Sequence, residues 1–196
     1  LLNARSANMP KDTSERAIKK GTGELASDTF IETTYEGYGP GGTAVLVEVL
    51  TDNKNRTVSE LRRAFSKFGG NLGESGCVSW IFSKKGKFEI PIDTTDEDSL
   101  IDISLNLGAE DVIKDGDFFS ILTEVENFEN VRKGLEDSNI AIENSEICMI
   151  PSNSVKVEGK PAEHMLKMLD LLDDCDDVQK VHSNFDIDDS IIEAHI

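Results

Sequence analysis

The sequence predicts a fold of mixed α+β class, and three observations carry that prediction. The run from Thr43 to Leu50 is apolar, rich in β-branched side chains and bounded by turn residues, the signature of a strand. Directly behind it, Val58, Leu61, Phe65 and Phe68 recur at three- and four-residue spacing, which gathers them on one helical stripe. Strand and helix patterns then keep interleaving towards the carboxyl end, punctuated by glycine and proline. With 196 residues and 38% hydrophobic content, the chain can build one or two cores.

The elements follow in order. Asn8-Met9-Pro10 breaks what precedes it, leaving Leu1 to Ala7 as the tail of an earlier helix. A short helix is expected from Asp12, its N-cap, through Lys20, with Gly21 as the stop, and Thr22 to Asp28 reads as a linker. The glycine loop Glu36-Gly37-Tyr38-Gly39-Pro40-Gly41-Gly42 empties into the strand at Thr43. A dinucleotide fingerprint needs strand, glycines, then helix, and a P-loop ends in Gly-Lys-Ser/Thr; neither context is present, so these glycines read as turn geometry. Thr57-Val58-Ser59-Glu60 has the form of a capping box and starts the helix near Val58, and Gly69-Gly70 ends it. The stretch up to Ile90 reads as a hairpin turning at Lys85-Gly86, and Pro91-Ile92-Asp93-Thr94-Thr95 as a boundary.

Beyond the boundary, Ile101, Ile103, Leu105 and Leu107 alternate like a strand, whereas the acidic start at Asp96-Glu97-Asp98 and the stop at Gly108 favour a helix. Val112 to Thr123 reads as a hairpin turning at Asp115-Gly116-Asp117. Phe128, Val131 and Leu135 mark an amphipathic helix, Ala141 to Ile150 a strand ending at Pro151. A last helix carries Ala162, Met165, Leu166, Leu169 and Leu172 on its apolar side, with Met165 and Met168 as core filler, ahead of a strand near Val178 to Phe185.

Charge is segregated along the chain. The net charge is −18, yet from Asp52 to Lys87 eight basic residues face three acids, and from Leu1 to Lys20 five face two. From Pro91 onward the balance reverses to seven basic residues against 27 acids. A basic end on an acidic body can orient a polyanion on one face and repel it from the other; the simpler reading of the acidic half is a solvated surface.

Several function classes lose support. Cys77, Cys148 and Cys175 are an odd, widely spaced set without a Cys-x-x-Cys pair, which reads as reduced thiols rather than a disulfide framework. His164, His182 and His195 have no metal-like spacing and read as surface or packing residues. The acidic knot Asp173-Asp174-Cys175-Asp176-Asp177 lacks the alternation and glycine of a calcium loop, and acids at a helix end are disfavoured by the macrodipole, so helix stability does not explain them. No run is apolar enough to span a membrane, no secretory signal stands at the amino end, and no catalytic constellation occurs; the reading is a non-enzymatic cytoplasmic protein without cofactor, metal or membrane partner.

Five runs then carry a resemblance. Asn8-Met9-Pro10-Lys11-Asp12, Tyr35 to Gly42, Thr51 to Thr57, Phe65 to Gly73 and Asp176-Asp177-Val178-Gln179-Lys180-Val181 resemble the signature stretches of the YebC/PmpR family, across essentially the whole chain. The resemblance implies a small helical amino-terminal domain followed by two α/β-sandwich-like domains, the last inserted into the middle one. Residues 1–27 would be the end of the helical domain, 28–90 plus 152–196 the middle domain, and 91–151 the acidic insert. It further implies a bacterial DNA-binding transcriptional regulator, or, through relatives that include a mitochondrial translational activator, a ribosome-associated factor that binds ribosomal RNA. The family's Lys/Arg-rich opening stretch does not precede Leu1, so part of the nucleic-acid surface is expected to be missing. Trp80 and His182 stand where another aromatic, commonly Tyr, is expected; Trp80 is assigned to the core and His182 is expected to be without consequence.

The resulting expectation is a nucleic-acid-binding regulator that grips phosphates without reading bases. Its contacts are expected from Arg5, Lys11, Arg16, Lys19 and Lys20 at the amino end and from Lys54, Arg56, Lys67, Arg62 and Arg63 on the basic helix. On the ribosomal alternative, the glycine loop at Gly37 to Gly42 inserts into an RNA cavity; a third reading sets the acidic domain against a basic protein partner. The sequence leaves the oligomeric state open, a monomer included.

Overall fold

The computed structural model describes residues 11–22 and 30–195, with the side chains of Asp12, Arg16, Lys20, Asp189 and Glu193 left aside. Arg5 and the expected helix tail before Pro10 lie outside the described residues. Helices and antiparallel sheets are mixed along the chain, so the α+β class holds.

Helix α1 (Lys11–Gly21) opens the described chain, with Asp12 inside it rather than ahead of it. Strands β1 (Ile31–Tyr38) and β2 (Ala44–Thr51) form a hairpin whose register runs from Ile31 opposite Thr51 to Tyr38 opposite Ala44. The glycine loop is the turn of this hairpin, and Gly41 and Gly42 have φ of +77° and +79°, the positive values that an L side chain rarely adopts. With β3 (Asn71–Leu72) and β9 (Val178–Ser183) the hairpin makes a four-stranded sheet of order β3-β1-β2-β9.

Strand β2 is central and covered on both faces, which is why it reads as an almost unbroken apolar run. Val45, Val47 and Val49 pack with Leu61 and Phe65 of helix α2 (Lys54–Lys67) and with Met165, Met168 and Leu172 of helix α5 (Gly159–Asp173). Ala44 and Leu46 pack on the opposite side, under Val78, Ile81 and Phe82.

A second antiparallel sheet has the order β5-β6-β4-β7, from β4 (Phe82–Pro91), β5 (Ala109–Asp115), β6 (Phe118–Glu124) and β7 (Asn144–Pro151). Helices α3 (Glu97–Asn106) and α4 (Phe128–Asp137) cover one face, closing a core of Phe88, Ile90, Leu100, Ile121, Val131 and Leu135. Asp96 accepts a hydrogen bond from the Ser99 amide at 3.0 Å, so capping decides for helix over the strand-like alternation of Ile101 to Leu107. The two short strands β8 (Val155–Lys156) and β10 (Phe185–Asp186) pair in parallel, and helix α6 (Asp189–Glu193) ends the described chain.

Three expectations are corrected. No hairpin turns at Lys85-Gly86: β4 is one ten-residue strand, paired with β6 from Lys85 to Pro91 and with β7 from Phe82 to Glu89. Gly86 is there for space, because a Cβ on it would lie 2.5 Å from the Phe128 ring, which itself stacks on Phe88 with centroids 4.7 Å apart. Helix α2 begins at Lys54, four residues before the expected start, with Asn53 as N-cap accepting from the Arg56 amide at 3.2 Å. Trp80 is not in the core; 73% of it is exposed.

Candidate nucleic-acid interface

Helix α2 buries Thr57, Leu61, Ala64 and Phe65 and turns its charged residues outward. Successive residues step by about 100° around a helix, so Arg62 and Arg63 point in different directions. Arg63 shares its flank with Arg56, Glu60 and Lys67, and Arg62 shares the other with Asn55 and Ser66. Lys54, Arg62, Arg63 and Lys67 are exposed. None of the four forms an ion pair among the described residues, and Lys67 Nζ sits 5.1 Å from the Phe68 ring centroid.

Arg56 is different. Its guanidinium donates to Asp177 Oδ1 at 2.8 Å and to Asp52 Oδ1 at 2.9 Å. Asp177 is buried, and its Oδ2 also accepts from the hydroxyls of Thr57 at 2.7 Å and Thr51 at 3.1 Å. Burial alone would push the Asp177 carboxyl up, but the hydrogen bonds from Thr57, Arg56 and Thr51 outweigh it and hold the group below the usual aspartate range. Thr57 thus lies inside the helix with its hydroxyl donated to Asp177, and Asn53 caps from further back. It also accounts for one member of the acidic knot, which ties the α5–β9 connection to α2.

Asp174, Cys175 and Asp176 of the knot line a cleft of about 540 Å3 between α2 and the end of α5, together with Arg56, Glu60 and Arg63. Cys175 donates its thiol to Glu60 Oε2 at 3.0 Å; burial and that acceptor push the thiol up to about 11, so it stays protonated. The cleft sets Arg63 among carboxylates, whereas Arg62 faces away from them.

The neighbouring basic residues are largely neutralised. Lys85 bridges Glu110 at 2.7 Å and Glu124 at 2.6 Å, and Lys87 meets Glu89 at 2.8 Å. Lys84 is exposed without an ion pair among the described residues. On α1, Lys11 lies 3.6 Å from Glu15, Lys19 is exposed, and the side chains of Arg16 and Lys20 are outside the described set.

Sequence reasoning missed a second arrangement, at the far end of the first sheet. Glu36 of β1 is buried, and its carboxylate accepts from the backbone amides of Gly76, Val78 and Ser79 at 2.7, 2.8 and 2.7 Å. Burial raises the Glu36 carboxyl, and these three amides together draw it below its ordinary value. The loop so held presents Trp80, whose indole N–H donates to the Cys77 carbonyl at 3.1 Å. The Tyr38 hydroxyl donates to the same carbonyl at 3.1 Å. An acid set directly at the head of the glycine loop, Glu36-Gly37, was the available signal.

No group of three His, Cys, Asp or Glu among the described residues is arranged to hold a metal ion. His182 lies 3.1 Å from Glu48 Oε1, and His195 lies 2.7 Å from Asp170 Oδ2, so both make contacts between elements. No described helix is long and apolar enough to cross a membrane.

An α+β protein with unpaired cations on one helix and a carboxylate-pinned loop on the opposite face of the same sheet is the class defined so far. Residues 30–185 match the family model described as the second and third domain of TACO1/YebC. The chain is 52% identical to a probable transcriptional regulatory protein of Desulforapulum autotrophicum, across 97% of its own length and 77% of the relative's. It is 53% identical to another of that name from Desulfosudis oleivorans, across 99% of its length and 79% of the relative's. The crystal structure of a conserved hypothetical protein from Aquifex aeolicus superposes with a TM-score of 0.83 at 45% identity, covering 94% of this chain and 76% of that one. The chain belongs to the TACO1/YebC family.

Proposed function

We propose that the protein is a non-enzymatic, cytoplasmic regulator that binds DNA through its phosphates. The observation that supports this most directly is the set of exposed cations on α2, Lys54, Arg62, Arg63 and Lys67, left without carboxylate partners among the described residues in a protein of net charge −18. Relatives named as probable transcriptional regulatory proteins favour the same reading. Arg56 is a positioning residue in this scheme, since its guanidinium is already committed to Asp177 and Asp52. Arg62 and Lys67 contribute most, and Arg63 less because of the acidic cleft at its side. Lys11 and Lys19 of α1 are assigned to phosphates as well, with Arg5, Arg16 and Lys20 of the same segment.

The division of the chain into a helical lead, a middle domain and an insert belongs to this reading, with one adjustment. Because β4 pairs along its length with β6 and β7, the insert is best drawn over residues 82–151.

The test is duplex DNA binding by fluorescence anisotropy at several salt concentrations. Charge reversal, Arg62→Glu with Lys67→Glu, is expected to weaken binding and to reduce the slope of log K against log salt by about 1 for each phosphate that is no longer neutralised. Unchanged affinity and slope would sink the assignment. Ribosomal RNA bound more tightly than duplex DNA under the same conditions would move the role to translation.

A further inference from the structure

We propose that Trp80 and Tyr38 form a rigid platform on which an unpaired nucleobase stacks. The proposal rests on the nucleic-acid reading above and adds a second kind of contact to it.

Large aromatic side chains are ordinarily turned inward, so a tryptophan that is 73% exposed calls for an explanation. Looseness is not the explanation. The indole and the Tyr38 phenol are both anchored on the Cys77 carbonyl. The loop that carries Trp80 is locked by three amides on the buried Glu36 carboxylate, and Val78, Ile81 and Phe82 on either side are sunk in the core beneath Leu46. A ring held in this way has little freedom left to lose on binding, which is the condition for using it as a contact.

The surroundings favour a base over a protein partner. A protein interface would set such a ring within a continuous apolar patch. Here the neighbouring loop is Gly73-Glu74-Ser75-Gly76, all exposed, and Asn71 beside Tyr38 is exposed too. A nucleobase needs only a π-face, and any base can supply it. Phosphate compensation would come from around the end of the sheet: α2 packs on the other face and ends at Lys67, and Gly70, three residues on, sits with its Cα edge against the Tyr38 carbonyl. Glu74, exposed, is the one acid in the loop.

Trp80 is the only tryptophan, so its fluorescence reports on the platform alone. The full chain is titrated with oligoadenylate RNA, with oligodeoxyadenylate, and with an abasic deoxyribose-phosphate chain of the same length. Both adenylates are expected to quench the emission, and the abasic chain to leave it unmoved. Quenching by the RNA alone or the DNA alone supports stacking and identifies the source of the base. Trp80→Ala is expected to weaken adenylate binding by about tenfold to a hundredfold with an unchanged salt slope, and Trp80→Phe to retain most of the affinity. Emission unmoved by saturating adenylate, or Trp80→Ala binding as tightly as the parent, overturns the proposal. If Trp80→Ala is silent while charge reversal at Arg62 and Lys67 weakens binding, the platform falls and the phosphate reading stands. If charge reversal is silent and Trp80→Ala is not, the opposite holds.

Discussion

Asp177 is a buried acid that holds three donors from a single stretch of chain, Thr51, Arg56 and Thr57. An amide keeps one acceptor oxygen and sets a donor NH2 against either the two hydroxyls or the guanidinium, so Asp177→Asn is expected to lower stability by about 1–3 kcal/mol at neutral pH in urea unfolding. The pH dependence follows from the direction of its shift. A carboxyl held below its ordinary value of about 3.9 contributes fully above that value and loses the contribution as pH falls through the lower, folded-state value. Parent and variant should therefore converge as the solution is acidified below about pH 4; curves that stay parallel would contradict the assignment. Cys175 makes an independent prediction. With its thiol pushed to about 11 it is expected to react with iodoacetamide at pH 8 far more slowly than a free cysteine, and to react at the ordinary rate once the protein is unfolded.

At the scale of elements, patterns that depend on local sequence were legible and those that depend on distant partners were not. The apolar run of β2, the stripe of α4 and the Asp115-Gly116-Asp117 turn between β5 and β6 follow from neighbours in the chain. Strand β1 was missed because Ile31-Glu32-Thr33-Thr34 is mostly exposed and carries little apolar signal before Tyr35. Gly86 was mistaken for a turn because the Phe128 ring that requires it lies 42 positions away. Gly86→Ala is accordingly expected to lose about 1–3 kcal/mol by overpacking against Phe128 and Thr123, seen as a lower melting temperature, where a true turn glycine in open space such as Gly116 would respond through φ strain alone. The site divides in the same way. The cations of α2 were visible in the sequence, but the carboxylate that claims Arg56 stands 121 residues further on, and the loop that turns Trp80 outward is held by an acid more than 40 residues before it.

Across the whole molecule, an excess of 18 negative charges makes self-repulsion a standing cost of compactness. Screening should relieve it. Moving from low salt to about 0.5 M sodium chloride is expected to raise the melting temperature by about 2–4 °C even as it weakens nucleic-acid binding, and a melting temperature that falls would show that the ion pairs of Lys85, Arg132 and Lys180 outweigh the repulsion. The two sheets meet where Lys180 of β9 reaches Glu146 of β7 at 2.5 Å. Those two sheets draw on the chain differently. Every strand of the second lies within residues 82–151, whereas the first needs β9, which pairs Ser183 with Val45 across most of the chain. On a ribosome that emits the chain from its amino end, the acidic sheet can close while the basic helix still rests on an open one. The surface proposed to meet nucleic acid is thus completed last, after the more acidic part of the molecule is already built.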